Sequence, residues 1–437
     1  MVTPMVAIVG RPNVGKSTFF NKVTGKRLSI VKNTPGVTRD RLYADVEWCG
    51  HTFTLIDTGG IEVNSEDMMW KQIRKQADAA IDTADVILFF VDGKTGITSD
   101  DHEVASFLRK TAKPVICVVN KVDGRDESVK YEFYALGLGD PVAVSSEQSM
   151  GLGDLLDSIV SHFDKVPQEE KNENLKIAVA GKPNSGKSSL VNKILGVDRV
   201  IVTDIAGTTR DAIDTPFRIG DKNYTIIDTA GIRKKSKVDE DIEYYSVIRS
   251  IGAIRRADVV LIVIDSAEGM TEQDVKICGL AHDAGKPSVI VMNKWDLIEK
   301  NTNTINLFNN KLKAELKFMD YFKPLYISAL TGKRVEKVLD AAEEVHANAS
   351  RMIQTGILND VIGDAIAVNE PPNRFGKKLK ISYSKQVANC PPTFVLFVND
   401  PTIMHFSYRR YLENCLRKAF DFSGTPIRIR LNAREEK

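Results

Sequence analysis

Gly10-Arg11-Pro12-Asn13-Val14-Gly15-Lys16-Ser17 carries the pattern G-x-x-x-x-G-K-S, and Gly181-Lys182-Pro183-Asn184-Ser185-Gly186-Lys187-Ser188 repeats it 171 residues later. Glycines at these positions let the backbone approach a polyphosphate closely. Successive N–H groups and a helix N-terminus then form a concave positive cradle. Lys16 and Lys187 are expected to reach the β- and γ-phosphates, and the Ser17 and Ser188 hydroxyls to ligate Mg2+.

Three further motifs recur in register. Asp57-Thr58-Gly59-Gly60 matches Asp228-Thr229-Ala230-Gly231 at the same offset of 171, each followed by isoleucine, Ile61 or Ile232. An acid there can hold Mg2+ through a water, while the Gly60 or Gly231 N–H faces the γ-phosphate. Thr38 and Thr209 lie between loop and acid, in segments suited to closing on Mg2+ only when a γ-phosphate is present. Asn120-Lys121-x-Asp123 matches Asn293-Lys294-x-Asp296 at an offset of 173. A carboxylate ending a strand can accept from the N1–H and N2–H2 edge of guanine. Adenine lacks that donor pair, so such a site rejects it. Ser145-Ser146 and Ser328-Ala329 occupy the loops expected to offer backbone N–H to guanine O6. The order and spacing, seen twice, point to GTP and GDP over adenine nucleotides.

These loops need strands to carry them. Val6–Val9, Phe53–Ile56, Val86–Val91 and Val115–Val119 are short apolar runs, repeated by Ile177–Ala180, Thr225–Ile227, Val259–Ile264 and Ser288–Met292. Near-continuous apolar strands fit a mainly parallel sheet flanked by helices on both faces, with ligands at the carboxyl ends of the strands. The expected fold is α/β: a first GTPase domain over 1–164, an acidic linker over 165–175 and a second GTPase domain over 176–350. Residues 351–437 read as a small α+β module: helix Gly356–Ala367, strands Leu379–Val387 and Thr393–Val398, helix Met404–Phe420 and strand Thr425–Leu431.

The formal charge of +2 hides an imbalance, because residues 351–437 hold 14 Lys+Arg against 8 Asp+Glu, whereas residues 1–164 hold 18 against 23. The basic end suggests an anionic partner. Arg374, Lys377, Lys378, Lys380, Arg409, Arg410, Arg417 and Lys418 are its candidate phosphate contacts, and Arg233-Lys234-Lys235-Ser236-Lys237 is a second basic run. Five scattered cysteines without a C-x-x-C argue against a disulfide framework or zinc site. The apolar runs are far too short to span a bilayer, and no signal peptide is evident. A cytoplasmic monomer is expected, without stable membrane association and without a role on DNA.

With Pro35-Gly36-Val37-Thr38-Arg39-Asp40 and Pro392–Pro401, this arrangement resembles the bacterial double-Era GTPases, the family called Der or EngA. The resemblance covers essentially the whole chain. It implies GTP hydrolysis, a role in assembly of the large (50S) ribosomal subunit through rRNA or ribosomal particles, and a KH-like fold for the last domain. Ras-type enzymes carry a water-orienting glutamine where this chain has Ile61 and Ile232, and an aliphatic side chain cannot orient water by hydrogen bonding. Relatives with G-x-P-N-x-G-K-S resemble potassium-activated GTPases, which makes Asn13 and Asn184 candidate K+ ligands. KH domains clamp RNA with a G-x-x-G loop, and residues 351–437 contain none. The module is therefore expected to contact the first GTPase domain instead.

Overall fold

The computed structural model describes residues 3–25, 43–57, 77–78, 80–81, 83–124, 127–163, 174–196, 200–202, 214–227, 250–374 and 377–433. Thr38, Arg39, Asp40, Thr58, Gly59, Gly60, Ile61, Thr209, Asp228, Thr229, Ala230, Gly231, Ile232 and the basic run 233–237 lie outside the described residues. So does most of the expected linker. Its last residue, Leu175, already belongs to a strand.

In the first GTPase domain six strands pair in one sheet. They are β1 (Met5–Val9), β2 (Tyr43–Trp48), β3 (His51–Asp57), β4 (Val86–Asp92), β5 (Val115–Asn120) and β6 (Val142–Ala143). Their order is β2-β3-β1-β4-β5-β6, with β2 antiparallel to β3 and the other pairs parallel. Strand alternation splits the core. Val6, Ile8, Leu88 and Phe90 face α1 (Lys16–Thr24), whose Phe19 and Phe20 join them. Ala7, Val9, Ile87, Phe89 and Val91 face α2 (Ser99–Leu108). The helix α3 (Leu152–Ser161) adds Leu152, Leu155, Leu156 and Ile159 to the first face.

The second GTPase domain repeats the order. Its strands are β7 (Leu175–Ala180), β8 (Val200–Val202), β9 (Thr215–Ile219), β10 (Lys222–Ile227), β11 (Val259–Asp265), β12 (Ser288–Asn293) and β13 (Pro324–Tyr326). They run β13-β12-β11-β7-β10-β9-β8, the same sheet with one extra edge strand. Helices α4 (Lys187–Leu195), α5 (Glu272–Asp283), α6 (Thr304–Glu315) and α7 (Glu336–Ser350) complete it. The helix starts carry a functional difference. Thr98 and Thr271 close capping boxes with Asp101 and Asp274, so α2 and α5 satisfy their first N–H groups internally. In contrast, α1 and α4 start at glycines without side-chain caps, leaving those donors for a ligand.

The C-terminal module comprises α8 (Thr355–Val368), the short pair β14 (Asn373–Arg374) and β15 (Lys377–Lys378), then β16 (Ile381–Ala388), β17 (Thr393–Val398), α9 (Phe406–Phe420) and β18 (Arg428–Ala433). β16 is antiparallel and β18 parallel to the central β17. Leu358, Phe394, Leu396, Leu412, Leu416 and Phe422 form its own core. The module forms one compact unit with the second GTPase domain. Ser288 N donates to Gly424 O at 2.7 Å and Gly424 N to Tyr321 O at 2.8 Å. The Arg417 guanidinium lies 4.4 Å over the Tyr321 ring. These contacts are made to the second GTPase domain.

Candidate nucleotide-binding sites

Each phosphate loop hangs from the end of the strand that opens its domain. Gly15 and Gly186 sit at φ +92° and +96°, where a β-carbon would come within 2.2 and 2.1 Å of Asn120 Nδ2 and Asn293 Nδ2. Glycine is required there by conformation and by space. Asn13 and Asn184 are also left-handed, at φ 63° and 61°. Asparagine tolerates that region well, which gives it a local reason to stand there.

Lys16 Nζ donates to the Gly10 and Arg11 carbonyls at 2.6 and 2.7 Å, and Lys187 Nζ to those of Gly181 and Lys182 at 2.8 and 2.6 Å. An ammonium has three protons, so each keeps one for an incoming oxygen. Burial lowers both lysines to about 8, against a smaller opposing pull from Asp57 and Asp274. Ser17 Oγ donates to Asp57 Oδ2 at 2.8 Å. This pair of hard oxygen donors at the foot of the loop suits Mg2+.

The asparagines of the N-K-x-D motifs, expected among the guanine-binding residues, make bonds within the protein. Asn120 Nδ2 donates to Val14 O at 2.7 Å, and its Oδ1 accepts from Ser146 N and Ser146 Oγ at 2.9 Å. Asn293 repeats this, donating to Ser185 O at 2.9 Å and accepting from Ala329 N at 2.9 Å. Both are buried, at 1% and 2% exposure. They tie the phosphate loop to the loop carrying Ser145-Ser146 or Ser328-Ala329.

Lys121 and Lys294 take left-handed backbone and extend their ammonium groups to Asp92 Oδ2 and Asp265 Oδ2, at 2.7 and 2.6 Å. Sequence reasoning missed these two acids, although they also recur at an offset of 173. Burial alone would raise Asp92 and Asp265. Hydrogen bonds from the lysines and from the N–H groups of the following turns outweigh it and hold both below the usual carboxylate range. Asp123, the carboxylate placed to read the base, accepts from Ser145 Oγ at 2.8 Å and is ion-paired with Lys94. That pairing first, then Ser145, holds it low. Asp296 is exposed at the corresponding point of the second site.

In the C-terminal module several candidate phosphate contacts are already engaged. Arg417 pairs with Glu413 and donates to the Phe422 and Thr425 carbonyls. Arg409 donates to Ile429 O, Arg410 to Lys317 O, and Lys378 pairs with Glu370. Lys377, Lys380 and Lys418 are exposed.

A phosphate loop with its buried lysine and a guanine-type N-K-x-D turn, present on two like sheets, together with the serine–aspartate pair of the first, define a tandem P-loop GTPase. Family profiles agree. The profile described as 50S ribosome-binding GTPase matches residues 5–121 and again 176–294. The KH-domain-like profile of EngA bacterial GTPase enzymes, C-terminal, matches residues 352–432. GTPase Der of Alkaliphilus metalliredigens (strain QYMF) is 57% identical over 435 residues, covering 98% of each chain. GTPase Der of Clostridium perfringens (strain SM101 / Type A) is 56% identical over 438 residues, covering 100% of each. Among solved structures, the G domain of the T. maritima FeoB iron transporter is 28% identical with a TM-score of 0.27, covering 37% of this chain and 99% of its own. The chain belongs to the GTPase Der family and is a GTP-hydrolysing enzyme.

Proposed function

We propose that both domains bind GTP through the residues assigned above, and that the nucleotide state governs association with the large ribosomal subunit or its precursor during 50S assembly. The observation that carries the nucleotide part is the repeated asparagine tie, which couples a phosphate loop to a base loop in both domains. The ribosomal part is supported by the description of the matching family profile and by the basic balance of residues 351–437. We place this work in the cytoplasm. Among the described residues no helix is long and apolar enough to cross a membrane.

Within each site the chain has defined tasks. Lys16 and Lys187 place a desolvated positive charge at the phosphates, where low dielectric strengthens it. The uncapped starts of α1 and α4 add backbone donors. Ser17 with Asp57, and Ser188 with Asp228, would hold Mg2+, joined by Thr38 and Thr209. That ion supplies charge neutralisation at the β- and γ-oxygens. Asp123 and Asp296 accept from the guanine edge. Asn13 and Asn184 are exposed and make no side-chain hydrogen bond among the described residues, so their amide oxygens are free for K+.

Co-sedimentation with ribosomal subunits in GTP, GDP and a non-hydrolysable analogue tests the ribosomal reading. Binding to the large subunit that follows the nucleotide supports it, and equal binding in all three refutes it. Turnover faster in potassium than in sodium, with the difference lost in Asn13→Ala and Asn184→Ala, is the expected result for the cation.

A further inference from the structure

The two base loops share a frame but differ at one side chain. Lys94 N and Ala267 N are equivalent: each donates at 2.9 Å to Oδ1 of the acid that ends its strand, Asp92 or Asp265. Beyond the backbone they part. Lys94 Nζ crosses to Asp123 Oδ2 in an ion pair, while Ser145 Oγ donates to Asp123 Oδ1 at 2.8 Å. Alanine at 267 cannot do this, and the exposed Asp296 has no ion-pair partner among the described residues. Of the two carboxylates placed to read the base, the first has both oxygens engaged by the chain. The second has neither.

We propose that Lys94 sets base selectivity at the first site, competing with the guanine N2–H2 group for Asp123 and offering a donor to purines that carry oxygen at C2. The inference rests on the reading that Asp123 and Asp296 accept from guanine. Xanthine has a carbonyl where guanine has its 2-amino group, and a bare carboxylate repels it. An ammonium on a flexible four-carbon stem can turn to that carbonyl. Lys94 has the freedom to do so, since its side chain is 64% exposed. The first site therefore accepts xanthosine phosphates with a smaller penalty than the second. Exposed pairs are weak, so the effect on either nucleotide is about two- to fivefold, and salt diminishes it.

The test uses the full-length chain with its second site silenced by Lys187→Ala, titrated with fluorescent GDP and XDP at low and high salt. Lys94→Ala tightens GDP and weakens XDP at low salt, and both changes shrink at high salt. The mirror variant, Ala267→Lys in a Lys16→Ala background, lowers the preference for GDP at the second site. An unchanged XDP-to-GDP ratio in Lys94→Ala, at an unchanged melting temperature, overturns the proposal. Asp123→Asn separates the two levels of the argument. Were it not to shift preference toward XDP, the reading of the base site would fail. Were it to do so while Lys94→Ala did nothing, only the role of Lys94 would fail.

Discussion

Replacing Asn120 by alanine should cost the first site affinity without changing its taste for bases. The side chain is 1% exposed and bonds at both ends, to Val14 O and to Ser146 N and Oγ. Alanine leaves the Val14 carbonyl and the Ser146 N–H without partners. An unsatisfied buried group costs about 1–3 kcal/mol, and water entering from the nearby mouth relieves part of that. About 2–4 kcal/mol remains, and the share of it that nucleotide must restore by ordering the two loops lowers GDP affinity by at most roughly 30- to 700-fold. The assay is equilibrium titration with fluorescent GDP and IDP in a Lys187→Ala background, so that only the first site reports. Inosine lacks the 2-amino group, so the ratio of the two constants measures base reading alone. A tie between loops weakens both nucleotides equally and leaves the ratio as it was. A changed ratio would mean that Asn120 touches the base and would refute the reasoning. Asn293→Ala with the first site silenced should behave in the same way.

Gly15→Ala or Gly186→Ala should abolish nucleotide binding at its own site by equilibrium dialysis, because the new methyl must displace the tying asparagine from 2.2 or 2.1 Å. Nucleotide affinity should be flat below pH 8 and fall above it by up to about tenfold per pH unit at each site. The free lysines titrate at about 8, a bound polyphosphate raises that value, and binding above pH 8 therefore takes up a proton. A decline that begins well below pH 8 would contradict this. Acid should loosen the second domain with its docked module. Burial first, then Arg417 and Arg428 against a weaker Asp320, lowers His282 to about 4, and its Nδ1 lies 2.9 Å from Tyr321 Oη. Its contribution is intact above the unfolded value near 6.5 and is lost as pH falls toward 4, up to about 3 kcal/mol. His282→Phe should flatten that slope in thermal unfolding.

Most of the fold was legible because chemistry and burial coincide in the strands. Val86–Val91 and Val259–Ile264 are apolar throughout since helices cover both faces, and β4 and β11 prolong them only by the acids Asp92 and Asp265. The phosphate loops were legible because glycine and lysine have few substitutes there. What escaped were relations between loops. Nothing in Asn-Lys-x-Asp says that its asparagine turns inward, since that depends on Val14 and Ser146 lying on either side of it. The internal bonds of the last domain's basic residues escaped for a related reason. Arg409, Arg410 and Arg417 end on carbonyls, and composition records charge without recording what the charge already holds.

The docking of that last domain was illegible in another way. Several of its ties are backbone to backbone, through Ser288, Gly424 and Tyr321, and such bonds leave no side-chain signature. Their position nevertheless has a consequence for the second site. Ser288 starts β12, and Asn293 ends it with the tie to Ser185 O. One buried strand of six residues thus connects the C-terminal module to a phosphate loop. Gly424, at φ +74°, leaves no room for a β-carbon, which would lie 2.1 Å from Val345 Cγ1. A partner that displaces the module breaks the Ser288–Gly424 bond, while β12 keeps its pairing with β11 and β13. The module and the second site thus share one strand, the module bonded at its start and the phosphate loop tied at its end by one asparagine.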